Sequence, residues 1–300
     1  MRITNNMVTS GILNELNQLE SQQSSLQTEV STGLSLTQPS DNPTVFGQVI
    51  QLEGQNSQNN QYSANATQAL NVANASYSGI NSLQQIYDRA SQLGTLGTGT
   101  LGSSAAASYA SELDQLIQQS VQTVNGQLDG AYLYAGTATD TPPYTTTTDS
   151  NGQITAVSYV GNSMQTTIPV STTANVAPGT SGTTNAGFAD LINNMISLRD
   201  ALTSGDSTAM NTANTALSGS DAVITDAVAD NGAVQARIQA EQTQLQSAST
   251  QTDSLISGDT NADLPSTIVK LNQAQVAYQA ALQTSASVMQ MSLLNYIHLQ

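Results

Sequence analysis

Side chains that could perform catalysis or bind a transition metal are scarce in this sequence. The only histidine is His298, close to the C-terminus, and there are no cysteines. A zinc site needs several imidazole or thiolate ligands, and a cysteine nucleophile needs a nearby base. Both kinds of site are therefore excluded or nearly so, and we expect His298 to be a surface or interface residue.

Acidic side chains offer two weaker candidates. The stretch DSNGQI, Asp149–Ile154, partly matches a calcium loop but lacks its repeated acidic ligands and distal glutamate, so it predicts a hairpin turn instead. Asp226 and Asp230 lie one helical turn apart, a spacing that serves acid–base chemistry only inside a pocket. Nothing in these patterns indicates a reaction. We expect a protein that is not an enzyme and that holds no cofactor or metal.

The charge balance argues against two classes of partner. The 300 residues include 21 acidic and 5 basic side chains, a formal net charge of −16. The basic residues are scattered along the chain: Arg2, Arg89, Arg199, Arg237 and Lys270. Nucleic acids and anionic membranes require clustered cations, so neither is an expected partner. With 38% hydrophobic and 4% aromatic residues, the composition favours long helices with narrow apolar seams over a compact enzyme.

The first residues indicate whether the protein carries a secretory signal. The stretch MRITNNMVTSGIL lacks the charged and then apolar layout of a secretory signal. No apolar run approaches the roughly 20 residues that a membrane span requires. We therefore expect a protein that stays in the cytoplasm or leaves the cell without a cleaved leader, and no membrane insertion.

Both ends of the chain carry apolar residues at heptad spacing, as a coiled coil requires. The N-terminal seam is Ile12, Leu16, Leu19, Gln23, Leu26 and Val30. The C-terminal seam is Leu264, Ile268, Leu271, Gln275, Tyr278, Leu282, Ser285, Met289, Ser292, Tyr296 and Leu299. Neither end has a core of its own. We therefore expect the two helices to pair, with the regions of Leu26 and Leu282 close enough to crosslink.

Helical patterns also fill most of the middle of the chain. A second seam comprises Ala66, Ala69, Ala73, Ile80, Leu83, Tyr87 and Ala90 and ends in the glycine-rich residues 94–102. A third helix is predicted from about Ser104 to Asn125, with one apolar face: Leu113, Leu116, Ile117, Ser120, Val121 and Val124. More helices follow Phe188, the first with an inward face: Leu191, Ile192, Met195, Leu198 and Leu202. A break is predicted at Asn231-Gly232. A last seam before residue 257 comprises Val234, Ile238, Glu241, Leu245, Ala248, Thr252 and Leu255.

The amino-acid composition changes between Thr137 and Gly187. This stretch is rich in Thr, Val, Tyr and Ile, and Asn151-Gly152 and Gly161-Asn162 are two-residue turn signals. We predict a β-meander of about three strands. The predicted fold class is therefore mainly α, a coiled-coil bundle of long antiparallel helices with one small β-rich insertion.

The stretch STGLSLTQPSDNP, residues 31–43, interrupts the helical pattern near the N-terminus with one glycine and two prolines. Gly33 can end the first helix by adopting a positive φ. Ser40 or Asp41 can cap the next helix, with Pro43 in its first turn. A matching interruption, SGDTNADLP, spans residues 257–265 near the other end. We interpret both as spokes between a terminal helix and the helical body.

Three stretches, in the same order, resemble the bacterial flagellin-like family. In the interruption, the matching residues are Thr32, Gly33, Pro39, Ser40, Asp41 and Pro43. Leu34 and Ser35 stand where the family has a basic pair, and Asn42 replaces a second aspartate. The second stretch, NGQLDGAYLYAGT at residues 125–137, matches at Gly130, Tyr132, Tyr134 and Gly136, with Tyr134 where Phe is common. The third is YQAALQTSASVMQMSLLNYI, residues 278–297.

Within this family the sequence is most similar to the proteins of the hook–filament junction. The resemblance implies a structural subunit that forms the ring between hook and filament after type III export, and hence an extracellular flagellar location. The implied partners are further copies of the chain, the other hook-junction protein, flagellin, and an export chaperone on the C-terminal helix. A filament flagellin is the alternative within the family. A secreted coiled-coil adhesin or translocator is the alternative outside it.

The same reasoning divides the chain into five segments. Residues 1–43 form the N-terminal assembly helix and spoke, 44–136 and 188–256 the helical body, 137–187 an outer β-rich insertion, and 257–300 the C-terminal assembly helix. The predicted assembly interface is Ile12, Leu16, Leu19, Leu26 and Val30 with Ile268, Leu271, Tyr278, Leu282, Met289 and Tyr296.

Overall fold

The chain is mainly helical, as the sequence predicts. A computed structural model describes residues 5–99 and 103–297, so His298 and Arg2 lie outside the described residues. The helices are α1 (Asn5–Thr32), α2 (Pro43–Gly97), α3 (Ser103–Val124), α4 (Gly182–Ser204), α5 (Ser207–Gly219), α6 (Asp221–Thr260) and α7 (Leu264–Ile297). None of these described helices has an apolar stretch long enough to cross a lipid bilayer.

Three small antiparallel hairpins lie between α3 and α4. They pair β1 (Gln127–Leu128) with β2 (Ala131–Tyr132), β3 (Tyr144–Thr148) with β4 (Ile154–Tyr159), and β5 (Ile168–Pro169) with β6 (Asn175–Val176). The predicted three-strand meander is therefore wrong. Gly161-Asn162 does not join two paired strands, because β4 and β5 belong to different hairpins.

The turn at Asn151-Gly152 is present but is longer than a two-residue turn. Asp149 N–H donates to the Gln153 carbonyl at 2.9 Å, and Gly152 adopts a φ of 81°. This is the three-residue loop in which a glycine in the left-handed region follows a tight turn. The backbone N–H groups of Gln153 and Asn151 donate to the carboxylate of Asp149 and lower its pKa.

Two compact units make up the chain. One contains residues 1–57 and 249–300, and the other contains residues 58–248. The first unit holds α1, α7, the start of α2 and the end of α6. The second unit holds the rest of α2 and α6, the helices α3 to α5 and all of the described strands. Every member of the two described hydrophobic clusters lies in the second unit.

The inward faces predicted for the second unit are confirmed. Leu113 and Ile117 of α3 and Leu191, Ile192 and Leu198 of α4 are at most 1% exposed and pack in the larger cluster. The predicted α2 seam is buried throughout: Ala66, Ala69, Ala73, Ile80, Leu83, Tyr87 and Ala90. Its first three alanines, Ala66, Ala69 and Ala73, form the smaller cluster with Val170, Val176 and Ile238. The alanine side chains let the neighbouring elements approach closely.

The predicted helix break at Asn231-Gly232 is wrong, because α6 runs through both residues. The Asn231 side chain is buried and its Nδ2 donates to the Ala73 carbonyl at 3.1 Å, a contact that holds this turn against α2. Tertiary packing here outweighs the cost of one helical glycine, about 1 kcal/mol. The chain breaks instead at Ser220, between α5 and α6.

The last predicted seam holds except at its end. Val234, Ile238, Glu241, Leu245, Ala248 and Thr252 are buried or half-buried. Leu255 is 51% exposed, and Ile256 takes its place on the less exposed face. The prediction placed Leu255 on the seam by the 3.5-residue repeat of a supercoiled helix. The observed step of four residues, from Thr252 to Ile256, fits the 3.6-residue period of a straight helix.

Candidate assembly surfaces

Helices α1 and α7 pack against each other in the first unit, as predicted for the two ends of the chain. All six predicted seam positions of α1 lie on its less exposed face: Ile12, Leu16, Leu19, Gln23, Leu26 and Val30. Leu26 is the most buried of them, at 9% exposed. The Thr267 hydroxyl donates to Glu29 Oε1 at 2.9 Å, which places the end of α1 beside the start of α7.

This antiparallel pairing corrects the expected crosslink. Since Glu29 lies opposite Thr267, Leu26 faces the early turns of α7 rather than Leu282. In this register Leu26 lies opposite about residue 270 of α7. Leu282 is about 12 residues further along α7, or about 18 Å at 1.5 Å per residue. The prediction that the helices pair is right, and the predicted register was wrong.

Only part of the predicted α7 seam faces α1. The less exposed face of the described part of α7 has heptad spacing: Thr267, Leu271, Ala274, Tyr278, Ala281, Ser285 and Val288. Leu271, Tyr278 and Ser285 were predicted on this face. Ile268, Leu282 and Met289 are each one residue away from it and are 45%, 44% and 44% exposed. Tyr296 lies among residues whose side chains the structure does not describe.

The displaced residues form a second apolar surface on α7. Leu264, Ile268, Leu282 and Met289 lie on one side of the helix, and we call this surface the α7 stripe. Each of its members is at least 40% exposed. At 100° per residue, these four residues fall within about 60° of one another and border the face that packs on α1. Helix α7 is therefore apolar over a wider arc than α1 covers.

The interruption after α1 folds as a short link beside its counterpart at the other end of the chain. Gly33 has a φ of 72°, and its N–H donates to the Glu29 carbonyl at 2.9 Å, the arrangement in which glycine ends a helix. Ser35 N–H then donates to the Thr260 carbonyl at 2.8 Å, and Ala262 N–H donates to the Gly33 carbonyl at 2.9 Å. The interruption at residues 261–263 thus pairs with the first one.

Leu34 and Ser35, which stand where the family has a basic pair, take part in this pairing. Leu34 forms an antiparallel bridge with Asn261. The Ser35 hydroxyl also reaches the Thr260 carbonyl at 3.2 Å. These two residues therefore connect the links through backbone and hydroxyl hydrogen bonds, which need no charge.

Asn42, not Ser40 or Asp41, caps α2. Its Oδ1 accepts the Val45 N–H at 3.3 Å, and Pro43 occupies the first helical position as predicted. The Asp41 carboxylate points back along the link and accepts the N–H groups of Thr37 and Gln38 at 3.0 and 2.9 Å. These backbone hydrogen bonds hold the pKa of Asp41 below its ordinary value.

The second family motif forms the β1–β2 hairpin. Asp129 and Gly130 have φ values of 52° and 84° and are the two residues of the turn, which is therefore of type I′. Gly136 also has a positive φ, 68°, and lies against the backbone of Asn162 and Met164, where a Cβ atom would collide. Gly130 and Gly136, the two glycines that match the family, are thus both required by backbone geometry.

Tyr134 anchors this motif in the core of the second unit. Its side chain is fully buried, and its ring meets Phe188 edge-on with 5.8 Å between the centroids. The hydroxyl that distinguishes it from phenylalanine donates to the Ser76 carbonyl at 2.9 Å. Burial raises the pKa of this hydroxyl, so it stays protonated as a donor. Tyr132 is half-buried at the end of the hairpin.

Two asparagine side chains hold the outer edges of the β3–β4 hairpin. Asn125 accepts the Tyr144 N–H at 3.1 Å and donates to the Tyr144 carbonyl at 3.0 Å. Asn193 of α4 does the same for Val157, with both bonds at 2.9 Å. Each amide side chain thus takes the place of a neighbouring strand. We call Asn125 and Asn193 the amide clasps.

Arg199 is a buried cation that sequence reasoning missed. It is 2% exposed, and it donates to Asp114 of α3 at 3.0 Å, to Asp200 at 2.7 Å and to the Ile154 carbonyl at 2.8 Å. It therefore connects α3, α4 and the start of β4. Its place on the inward face of α4, four residues after Met195 and three before Leu202, is the sequence signal that could have revealed it.

These surfaces have the chemistry of packing rather than catalysis. Among residues 5–99 and 103–297, no group of three or more His, Cys, Asp or Glu side chains could hold a metal ion. The largest cavity described, about 600 Å³, lies between α2 and the β1–β2 hairpin and has a single ionisable carboxylate, Asp129, in its lining.

Comparisons with known proteins show what this chain is similar to. The family model of the bacterial flagellin N-terminal helical region matches residues 3–139. No curated protein matches as a relative. Over residues 3–139 the chain is similar to the flagellin N-terminal region.

Solved structures with the same fold include several hook-associated proteins. A structure from Vibrio parahaemolyticus, described as a flagellar hook-associated protein, has a TM-score of 0.66 at 17% identity, and the match covers 74% of this chain and all of that one. FlgL from Bacillus cereus gives 0.58 at 14% identity, covering 69% of this chain and 98% of its own. FlgL from Xanthomonas campestris gives 0.55 at 13%, covering 67% and 97%.

Proposed function

We propose that this flagellin-like chain is a structural subunit of the bacterial flagellum and forms the junction ring between hook and filament. The observation that carries the proposal is the fold that it shares with FlgL structures over at least two thirds of its length. The paired terminal helices and the small β-rich region both fit that role. The described residues offer packing surfaces in place of a catalytic site.

The α7 stripe is the surface that best supports self-assembly. Full burial of an exposed Leu, Ile or Met side chain contributes about 1.5–3 kcal/mol, and since these four side chains are 40–45% exposed, each would contribute roughly 1 kcal/mol on further burial. A second helix from a neighbouring copy would bury them beside the seam that α1 already covers. The predicted α1 residues Ile12, Leu16, Leu19, Leu26 and Val30 support assembly indirectly in this proposal, by holding α7 in place.

The other partners follow from the same role. A junction ring contacts the other hook-junction protein on one side and flagellin on the other. Export by the type III route requires a chain that can be kept from assembling inside the cell. A chaperone that covers the α7 stripe would meet that requirement.

The five segments are assigned accordingly. Residues 1–43 and 257–300 serve assembly, and residues 44–136 and 188–256 form the body. Residues 137–187 form an outer region that faces away from the axis.

Deletion of the gene tests the proposal. We expect a strain that keeps its hook but releases flagellin monomers into the medium, and immuno-electron microscopy should place the protein at the hook tip. An intact junction without a filament would identify a filament flagellin instead, the alternative that the flagellin N-terminal match favours. Labelling on host cells in place of hooks would identify an adhesin or translocator.

A further inference from the structure

The sequence contains three Asn-Gly pairs, Asn125-Gly126, Asn151-Gly152 and Asn231-Gly232. In such a pair the backbone nitrogen of the glycine can attack the asparagine side-chain carbonyl, because glycine has no side chain to obstruct the approach. The reaction requires that the side-chain amide be free to rotate onto that nitrogen. The three pairs differ sharply in this respect.

Asn151 is free to react. It lies in the exposed loop of the β3–β4 hairpin, and Gly152 beside it is also exposed. Its Nδ2 has one long hydrogen bond, 3.3 Å to Asp149 Oδ2, and its Oδ1 accepts no hydrogen bond from the described residues. The Gly152 N–H is held by the Asp149 carbonyl at 3.1 Å, within the same surface loop. Opening this loop therefore disturbs no core contact.

Asn125 is restrained at both ends of its amide. It is the amide clasp that exchanges two hydrogen bonds with the backbone of Tyr144, at 3.1 and 3.0 Å. Tyr144 is itself 2% exposed, and its hydroxyl donates to the Asn185 carbonyl at 2.7 Å. Rotation of the Asn125 amide would free a buried strand end.

Asn231 is restrained by burial and by its helix. It is 5% exposed, with Nδ2 bonded to the Ala73 carbonyl at 3.1 Å and Oδ1 accepting from Gln235 at 2.7 Å. Gly232 lies inside α6, so its nitrogen takes part in the helical hydrogen-bond ladder. Reaction at this pair requires that α6 unfold locally and leave α2.

We propose that Asn151 is a site of spontaneous deamidation in the folded protein and that Asn125 and Asn231 are protected by the fold. The Gly152 nitrogen loses its proton and forms a bond to Asn151 Cγ, and the Cγ–Nδ2 bond breaks to release ammonia. Water then opens the resulting succinimide ring to leave aspartate or isoaspartate at position 151. No oxidant, reductant or enzyme is needed.

The product changes the tip of the hairpin. A new carboxylate appears two residues from Asp149, and the formal charge of the chain falls from −16 to −17. Isoaspartate also lengthens the backbone by one carbon inside the loop. The proposal does not depend on the junction role, since it rests on the second unit alone.

Peptide mapping of the full-length protein tests the proposal. Folded protein is incubated at mildly alkaline pH, and a parallel sample is incubated in guanidinium chloride. Both are then digested with pepsin in acid, which suppresses further reaction. The amide-to-carboxyl mass increase at each pair gives its rate. In folded protein we expect Asn151 to react roughly tenfold faster or more than Asn125 and Asn231, since those need local opening.

In denaturant we expect the three rates to converge. Equal rates in the folded protein, or an unreactive Asn151 that reacts once the chain is unfolded, would overturn the proposal. Gly152→Asn is the matched control, because asparagine tolerates a positive φ but adds a side chain beside the attacking nitrogen. This variant should keep the native circular dichroism spectrum and deamidate severalfold more slowly. Native-like spectra with an unchanged rate would show that another route modifies Asn151.

Discussion

At the scale of single residues, several side chains in this protein replace a missing backbone partner. The Asp41 carboxylate completes the link after α1, and Asn42 completes the first turn of α2. The Tyr134 hydroxyl reaches a helix carbonyl of α2 inside the core. In each case a short polar group satisfies a backbone group that would otherwise lack a partner, which is costly when it is buried.

Tyr134→Phe isolates the contribution of one buried hydroxyl. The substitution keeps the ring contact with Phe188 and removes the 2.9 Å hydrogen bond to the Ser76 carbonyl. We expect the free energy of unfolding to fall by about 1 kcal/mol, measured by urea denaturation. Tyr132→Phe is the control, since no hydrogen bond of its hydroxyl is described, and it should change stability little. An equal loss in both variants would contradict the assignment.

Acid should loosen the link through Asp41. Hydrogen bonds from Thr37 and Gln38 lower the pKa of this carboxyl in the folded chain. Its stabilising effect is therefore complete above the ordinary aspartate value of 3.8 and is lost as the pH falls through the lower, folded value. Below the lowered pKa of Asp41, hydrogen exchange should show less protection of the Thr37 and Gln38 amides, after correction for the effect of pH on the intrinsic exchange rate. Asp41→Asn should show reduced protection at neutral pH, and unchanged protection in that variant would count against this role.

At the scale of elements, the β3–β4 hairpin depends on its amide clasps. A hairpin this short is marginal unless something covers it. Asn193 joins β4 to α4 through both backbone groups of Val157, a residue that is 3% exposed. This arrangement also blocks the outer edge of β4 against pairing with another chain.

Asn193→Ala should destabilise the hairpin. It leaves the N–H and carbonyl of Val157 without partners, and we expect a loss of about 1–3 kcal/mol in the free energy of unfolding. Asn193→Asp can still accept from Val157 N–H but cannot donate, so it should also be destabilising. Asn211→Ala, at an exposed position of α5, is the control and should cost far less. Thermal unfolding of the three variants measures the difference.

The sequence predicts those elements whose local pattern and packing agree. The α1 seam, the inward faces of α3 and α4 and the positive φ of Gly33 could all be predicted, since each follows from spacing or from one special residue. The run through Asn231-Gly232 could not, because a contact with Ala73 far along the chain decides it. The α7 seam was half right: α7 carries two adjoining apolar faces, and spacing alone does not tell which one meets α1.

At the scale of the whole molecule, the two units differ in how they are held together. The second unit contains both described hydrophobic clusters. The first unit relies on the α1–α7 pair, whose seam includes Gln23, Thr267 and Ser285, and on the hydrogen-bonded links. Polar seam positions define register at a cost in stability.

We expect the first unit to unfold before the second. Hydrogen exchange should show faster opening of the amides in α1 and α7 than of those in α4, because fewer apolar contacts must break. The comparison needs dilute protein, since assembly would protect the terminal helices. Simultaneous opening of α1, α7 and α4 would indicate one cooperative unit instead.

A charge on the α7 stripe should block assembly without unfolding the chain. Leu282 is 44% exposed, so Leu282→Glu can keep its carboxylate in water in the monomer and loses only the partial burial of the leucine. We expect its thermal unfolding to change little and its assembly in the flagellum to fail, seen as hooks without filaments in a complemented deletion strain. Gln273→Glu is the matched control, because Gln273 is exposed and lies about 180° around the axis of α7 from Leu282. Normal filaments with Leu282→Glu would exclude the stripe as an interface.

The burial of Arg199 also governs how the protein can be detected. Trypsin cleaves after Lys and Arg, and Arg199 is the only such residue between Arg89 and Arg237. In the folded chain its guanidinium is enclosed by Asp114, Asp200 and the Ile154 carbonyl, so the protease cannot reach it. Even where trypsin cuts at Arg89 and Arg237, folded protein should therefore keep α3, the six described strands, α4 and α5 in one long fragment. Measurements that depend on tryptic peptides of the folded protein will therefore undercount it unless the chain is first unfolded or cut with another protease.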